Sequence, residues 1–367
     1  MFEAPSAAIG RLRNAVGPDN ARPGGQVELV LDDVLVPHPA LDARKSVFLA
    51  RKLEPDNKKY LFLIDVFKGN IDAYSCILLD DKGEIERYLR GGLQLQDKSQ
   101  VGRMRYAAKY LNSPCKEVAA SADLEFQKAD YASLRKVAET LNPDVFVKPL
   151  GASETTLGQL GTQAMLLGHC GKKEHVVLLR KLIDAHSPKG GSHLEGLHFG
   201  YVLLDPKNGW DLLVQTTLQK DQSFTIRYHA YRTLRRIGED RPDLFGAKQC
   251  AAAIARILDH SDMADLAAET LRRWKRWEHC DAVLDMHGKV GFGAPIIRRT
   301  VLRFALQCPL PAAKTFVLIE RARDPESVAE AEELLALAEI PLGEVQKPDV
   351  VQARSRVRMD SGQVLLA

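Results

Sequence analysis

Residues 118–126 (VAASADLEF), 226–234 (IRYHAYRTL) and 266–274 (LAAETLRRW) share one pattern, which decides the fold of most of the chain. Each begins with a branched apolar residue, has a small residue four positions later, and ends in a bulky residue after four more. Because positions i and i+4 lie on the same face of an α-helix, the pattern predicts a helix with a narrow apolar centre. We therefore expect Ala230, the small residue of the second stretch, to be buried where two helices meet.

Looser copies of the pattern begin at Leu160, Leu197 and Ile297, and successive copies begin 42, 37, 29, 40 and 31 residues apart. Such spacing is typical of repeats made of one helical hairpin. Arg227 and Arg298 follow the first apolar position, as arginine often does in HEAT units. The sequence predicts a HEAT-like α-solenoid over residues 83–340, and a globular bundle of unrelated amphipathic helices is the alternative.

The first part of the chain has strand-like patterning. Three apolar stretches are separated by proline, glycine and asparagine: residues 26–36 (QVELVLDDVLV), 46–51 (SVFLAR) and 60–66 (YLFLIDV). In the first, alternate residues are apolar, which indicates a β-strand. Further strands near residues 8–14 and 76–79 bring the number to five, which is typical of an OB-like barrel. We predict a small antiparallel β domain over residues 1–82 and a tail over residues 341–367.

Composition excludes several classes of protein. The 367 residues include 51 basic and 48 acidic side chains, and a net charge of +3 is too small to indicate a nucleic-acid or membrane partner. The six cysteines include no Cys-x-x-Cys pair, so a metal knuckle is not predicted. No apolar run approaches the ~18 residues of a membrane span. The first ten residues lack the features of a signal peptide, and localisation stays undetermined.

Several stretches resemble uncharacterised HEAT-repeat proteins of planctomycete bacteria. They are residues 36–74, 166–185 (LLGHCGKKEHVVLLRKLIDA), 200–210 (GYVLLDPKNGW), 262–278 and 296–309 (IIRRTVLRFALQCP). The resemblance implies a small β domain followed by a HEAT-like solenoid. It supplies no catalytic residues, because that family has no assigned activity. Its members commonly carry an export signal and an early Cys-Pro-x-Cys run, and this sequence contains neither.

The strongest candidates for metal ligands are His193, Glu195 and His198. Glu195 and His198 form a Glu-x-x-His spacing, which places two ligands on one face of a helix. A dinuclear site needs a second such motif, and the sequence has none. The other interpretation is that these side chains are solvated or cap a helix.

Residues 272–277 (RRWKRW) form a basic aromatic run. Arg272, Arg273, Lys275 and Arg276 are candidates for a ligand surface, because arginine and lysine neutralise phosphate while tryptophan stacks on bases. However, Trp274 occupies the third position of the repeat pattern, and Trp277 follows three residues later. We therefore expect both rings to fill space between helices.

The sequence contains no phosphate-binding GxxxxGK[ST] loop and no G-x-S-x-G motif, so no catalytic residue and no cofactor is predicted. Solenoids expose an extended face, because each repeat contacts only its neighbours. The leading hypothesis is a non-enzymatic scaffold that binds a protein partner. The alternatives are a nucleic-acid-binding or nucleic-acid-processing protein that uses residues 272–277, and a metal-dependent HEAT enzyme.

Overall fold

The computed structural model describes residues 4–14, 27–42, 44–49, 58–67, 70–95 and 99–339. Over these residues the protein is mainly helical, with an antiparallel sheet at the N-terminal end. The predicted tail, residues 341–367, lies outside the described residues. None of the described helices is both long enough and apolar enough to cross a membrane.

The sheet has the predicted five strands among the described residues, in the order β3-β2-β1-β4-β5, with every neighbouring pair antiparallel. Strand β5 begins earlier than its predicted position near residue 76. The strands are β1 (Ser6–Asn14), β2 (Val27–Val36), β3 (Ser46–Leu49), β4 (Tyr60–Phe67) and β5 (Asn70–Leu78). The two edge strands, β3 and β5, approach each other, so the sheet curls into a half-barrel.

Alternation of side chains places a hydrophobic core on one face of this sheet. Leu12, Leu29 and Phe62, from three neighbouring strands, are buried in it. Strand β1 pairs with β2 along most of its length, and irregular register at Ala7/Ala8 and Ile9/Gly10 increases the local bend.

The chain forms two compact units. The first contains the sheet and eight helices, and the second contains residues 187–191 and eight further helices. The sheet ends at Leu78 and the first helix begins at Glu84, on either side of the predicted boundary at residue 82. Independent folding of a β domain over residues 1–82 stays a prediction.

The helices of the first unit are short and are joined by turns. They are α1 (Glu84–Leu93), α2 (Gln100–Ala108), α3 (Lys116–Gln127), α4 (Tyr131–Ala138), α5 (Asp144–Leu150), α6 (Leu157–Cys170), α7 (Val176–His186) and α8 (His193–Leu204). Several have an N-cap residue whose side chain accepts a hydrogen bond from a backbone N–H of the first turn, which would otherwise lack a partner. Thr156 does this for α6, and the Gln159 side chain accepts the Thr156 N–H in return.

The closest helix contact of the first unit joins α6 and α8 through glycines. A Cβ on Gly196 would lie 2.0 Å from the carbonyl oxygen of Gly161, and one on Gly200 would lie 2.1 Å from that of Ala164. A Cβ on Gly168 would lie 2.4 Å from the Gly200 Cα. The two backbones touch, and this contact requires residues without a side chain at three positions.

The second unit contains helices α9 (Pro206–Leu218), α10 (Phe224–Asp240), α11 (Ala247–Ala255), α12 (Ala264–Arg273), α13 (Cys280–Leu284), α14 (Pro295–Gln307), α15 (Pro311–Arg323) and α16 (Pro325–Glu339). Helix α12 packs on α14, and α14 packs on α16. Asp324 caps the first turn of α16, because its carboxylate accepts the Ser327 N–H at 3.1 Å.

The small central residues of the repeat pattern are buried, as predicted. Ala122, Ala164 and Ala230 are completely inaccessible, and Thr270 is nearly so. The first apolar positions Val118, Ile226 and Ile297 are also buried, whereas Leu266 is partly exposed. The pattern therefore identified the contact face of these helices correctly.

We expect Gly196→Ala to destabilise the protein by about 1 to 3 kcal/mol, because the added Cβ overlaps the Gly161 carbonyl oxygen. Gly158→Ala, on α6, is the matched control. A Cβ at position 158 would lie 3.8 Å from its nearest atom, which is an ordinary van der Waals contact. Alanine also has a higher helix propensity than glycine. Denaturant unfolding checks both variants, and equal stability of the two would show that the close α6–α8 contact is wrong.

Candidate functional site

The basic aromatic run lies at the end of α12, where the helix closes with a Schellman motif. The Lys275 N–H donates to the Arg272 carbonyl and the Arg276 N–H donates to the Leu271 carbonyl, both at 2.9 Å. Lys275 has φ 55°, the left-handed conformation that this motif requires. The run therefore turns away from the helix axis after Trp274, and its four cations do not share one face.

Both tryptophan rings contact neighbouring helices. The Trp274 ring lies against Gly238 of α10, where a Cβ would approach it to 2.7 Å, and its Nε1 donates to Glu239 at 3.4 Å. The Trp277 ring meets Phe304 of α14 edge to face, with centroids 5.2 Å apart. The rings fill space between helices, as expected, although each is half-buried rather than fully enclosed.

The four candidate cations have different environments. Arg272 is buried and donates to both oxygens of Glu269, at 2.9 and 2.6 Å, and also to Gln307. Arg273 donates to the same carboxylate at 3.1 Å, although 63% of its side chain is exposed. Arg276 lies 4.0 Å from Glu278, and Lys275 is exposed on the turn. Only Arg272 and Arg273 meet at one group.

Glu269 is the centre of this arrangement. Arg303, from α14, approaches its carboxylate at 3.6 Å and is the third arginine around it. Partial burial of Glu269 opposes ionisation. The hydrogen bond from Arg272 and the charges of Arg272 and Arg303 outweigh burial, so the pKa of Glu269 is lowered. One ionised carboxylate thus faces three guanidinium groups.

The same surface continues onto α10. The Tyr231 hydroxyl donates to the Leu266 carbonyl at 2.8 Å and lies 2.7 Å from the Thr270 hydroxyl. Arg235 lies beside Tyr231, and its charge opposes the rise in the Tyr231 pKa that burial causes. Burial likewise raises the pKa of Asp265, a rise that the charge of Arg303 opposes. We call Arg235, Arg272, Arg273 and Arg303, around Asp265 and Glu269, the arginine face.

Next to the arginine face, α10 carries an aromatic ladder of three residues one turn apart. The rings of Phe224 and Tyr228 are stacked, with centroids 5.6 Å apart and an angle of 14°. The Arg232 guanidinium lies 5.8 Å from the centroid of the Tyr228 ring. Phe224 is 47% exposed, which is high for a phenylalanine. The ladder presents apolar, aromatic and cationic groups together.

A buried arginine clamp joins the start of α10 to the start of α12. Arg227 donates to Asp262 at 2.7 and 3.1 Å, and its second terminal nitrogen lies 3.0 Å from the His260 Nδ1. Its Nε donates to the Thr217 carbonyl at 3.3 Å. The arginine that follows the first apolar position is thus a structural residue, consistent with its place in the repeat pattern.

Sequence reasoning missed Arg235, Arg303, Phe224 and Tyr228 because their local patterns are ordinary. The signal that could have found them is a constant sequence separation between residues that contact each other on neighbouring helices. Arg227 and Asp262, Tyr231 and Leu266, Glu239 and Trp274, and Arg272 and Gln307 are all 35 residues apart. Aligning α10, α12 and α14 with that offset places Arg235 opposite Thr270 and Arg303 opposite Ala268, on either side of Glu269.

The candidate metal ligands do not converge. His193 is buried, beside the Gly161 backbone, and its ring packs edge to face on that of His186 at 5.1 Å. Glu195 is partly exposed, whereas His198 is buried with no hydrogen-bond partner for its Nδ1 among the described residues. Across the described part of the chain, no group of three or more metal-ligating side chains comes together.

No protein-family model, no curated protein and no solved structure matches this chain.

We expect Trp274→Ala to lower the free energy of unfolding by about 2 to 3 kcal/mol, below the range for a fully buried ring, because the indole is half-buried. Lys275→Gly should raise it by up to about 1 kcal/mol, since glycine adopts the left-handed conformation without strain. Chemical denaturation measures both effects. A neutral Trp274→Ala would contradict the packing of the ring on Gly238.

The buried His198 predicts a pH-dependent stability. Burial, with a smaller effect of the Arg180 charge, lowers its pKa from 6.5 to about 4. The unfolded chain therefore binds more protons between these values, so stability falls as pH decreases from 6.5 toward 4, by about 1.4 kcal/mol per pH unit. His198→Phe should flatten this slope in unfolding experiments. His279→Gln, at a half-exposed histidine, is the control, and an equal slope in wild type and His198→Phe would refute the assignment.

Proposed function

We propose that this chain is a non-enzymatic helical-repeat protein that binds a protein partner on the exposed side of α10 and α12. The observation that carries the proposal is the aromatic ladder. In it the exposed Phe224 ring stacks on the Tyr228 ring, and the Arg232 guanidinium lies over the Tyr228 ring. Tyrosine and arginine are enriched among the residues that contribute most to protein interfaces. An exposed phenylalanine beside them supplies apolar area that a partner can bury.

The arrangement of helices supports a solenoid within each unit. In the second unit α12, α14 and α16 pack in series, while α13 packs on both α14 and α15. Hydrogen bonds from Tyr231 and Trp274 connect α10 with α12. In the first unit α3, α6 and α8 pack in series. These contacts agree with stacked hairpins of the HEAT type.

Two features support an OB-like barrel for the N-terminal sheet. Strand β1 is central, between β2 and β4, and the short edge strand β3 approaches β5. A five-stranded sheet that curls until its edges approach is the geometry of a partly open barrel.

The alternative of nucleic-acid binding is less well supported than a protein partner. Trp274 and Trp277 are packed against Gly238 and Phe304, so neither ring is a free stacking platform. Asp265 and Glu269 also lie on α12, between the arginines of α10 and α14. A polyphosphate backbone that crosses this surface meets two carboxylates, which disfavours it.

Affinity capture from the source organism tests the proposal, with the intact chain as bait. We expect one reproducible stoichiometric protein partner, and loss of that partner with the double variant Phe224→Ala/Tyr228→Ala. Leu318→Ala is the matched control, because Leu318 of α15 is also an exposed apolar residue, at 66%.

Thermal unfolding of the double variant should show a moderate loss of stability with the fold retained, since Phe224 is exposed and Tyr228 is half-buried. Recovery of bulk nucleic acid without a protein partner would overturn the proposed function. Retention of the same partner by the double variant would show that the aromatic ladder is not its binding site.

A further inference from the structure

Two arginines of the arginine face, Arg235 and Arg303, are incompletely satisfied. Within the described part of the chain, the buried Nε groups of Arg235 and Arg303 have no hydrogen-bond acceptor. Their ion pairs are long, with Arg235 at 3.7 Å from Glu239 and Arg303 at 3.6 Å from Glu269. The buried Nε atoms are out of reach of a partner, but the two side chains are 37% and 23% exposed, so their terminal nitrogens can donate to a further acceptor.

Basic side chains outnumber acidic ones on α10, on α12 with the turn that follows it, and on α14. Residues 224–240, 264–276 and 295–307 contain eleven basic side chains, at positions 227, 232, 235, 236, 272, 273, 275, 276, 298, 299 and 303. They contain four acidic ones, at positions 239, 240, 265 and 269. Carboxylates outside these ranges pair with four of the basic residues, at positions 227, 276, 298 and 299, and seven basic side chains remain against the four acidic ones. Because Glu269 is shared by three arginines, it cannot neutralise all of them.

The chemistry of guanidinium groups selects the kind of ligand. The planar fork of arginine matches a carboxylate with two parallel hydrogen bonds. Discrete carboxylates on a flexible protein chain can be placed at Arg235, Arg273 and Arg303 one at a time, with Glu269 as their competitor at the last two. A continuous row of phosphates has no such freedom.

We propose that the arginine face binds the carboxylates of an acidic segment of a partner protein. This inference rests on the proposed function and names the chemistry of the partner. The aromatic ladder next to the face supplies the apolar contact, and the arginines supply the selection for acidic side chains.

Glu269 both organises the arginine face and competes with its ligand. Its carboxylate holds Arg272, Arg273 and Arg303 together in the unbound protein, and it also competes with an incoming carboxylate for their donors. Removing its charge is therefore expected to strengthen binding of an acidic ligand, whereas removing an arginine weakens it. A purely structural arginine cluster predicts no binding and no such opposite effects.

Fluorescence anisotropy with a labelled oligo-glutamate peptide and the full chain tests the inference. We expect salt-sensitive binding that Arg273→Gln and Arg303→Gln each weaken about tenfold. Glu269→Gln should tighten it severalfold. Arg180→Gln is the matched control, because Arg180 is an exposed arginine of α7 paired with Asp184 at 3.0 Å, and it should bind as wild type does.

Three results would overturn the inference. They are no binding of oligo-glutamate, an equal loss in Arg180→Gln, and tighter binding of a single-stranded oligonucleotide of the same length. Unfolding curves identify any variant that fails to fold. Among the substituted positions 180, 269, 273 and 303, we expect the smallest effect on stability at Arg273, because its side chain is largely exposed.

Affinity capture separates this inference from the proposed function. If Arg273→Gln and Arg303→Gln retain the partner that wild type captures, the acidic-segment inference fails and the proposed function stands. If wild type captures no protein while oligo-glutamate binds with the expected effects of substitution, the proposed function fails and the preference of the face for carboxylates stands.

Discussion

Close approach of helices through small residues is the constraint on which the helical part of this protein depends. Ala122, Ala164 and Ala230 are each wholly buried in the middle of a helix, and Gly196 and Gly200 bring the backbone of α8 against that of α6. Short helices gain little stability from their own hydrogen bonds, so most of it must come from packing. Small central residues give that packing a large contact area at short interhelical distance.

Close packing has an electrostatic consequence in the second unit. Long polar side chains at the edges of the contact faces reach from one helix to the next, as Arg227 reaches Asp262 and Arg272 reaches Gln307. A buried guanidinium is tolerated only when acceptors surround it. Arg227 meets this condition with a carboxylate, an imidazole and a carbonyl oxygen. The arginine face meets it incompletely, and this difference separates a structural clamp from a candidate binding surface.

The aromatic ladder lies on α10, and the same helix carries Arg235 of the arginine face within about three turns of Phe224. Protein interfaces commonly combine a few aromatic anchors with charged groups that govern selectivity and association rate. The two features of α10 correspond to these two roles. In the helical-repeat architecture that we propose, each helix contributes its exposed face to one surface, which places the two features side by side.

The sequence alone determined the elements that depend on local periodicity. Alternation at residues 27–31 identified a strand, and the i, i+4, i+8 pattern identified the buried faces of the helices. Tertiary structure decided which charged residues belong to a site. Arg272 and Arg273 are adjacent in sequence, yet one is buried against Gln307 and the other is exposed, and Arg303 joins them from 30 residues away. Such differences arise from contacts between helices, and patterns within one helix carry no information about the side chains that a neighbouring helix presents.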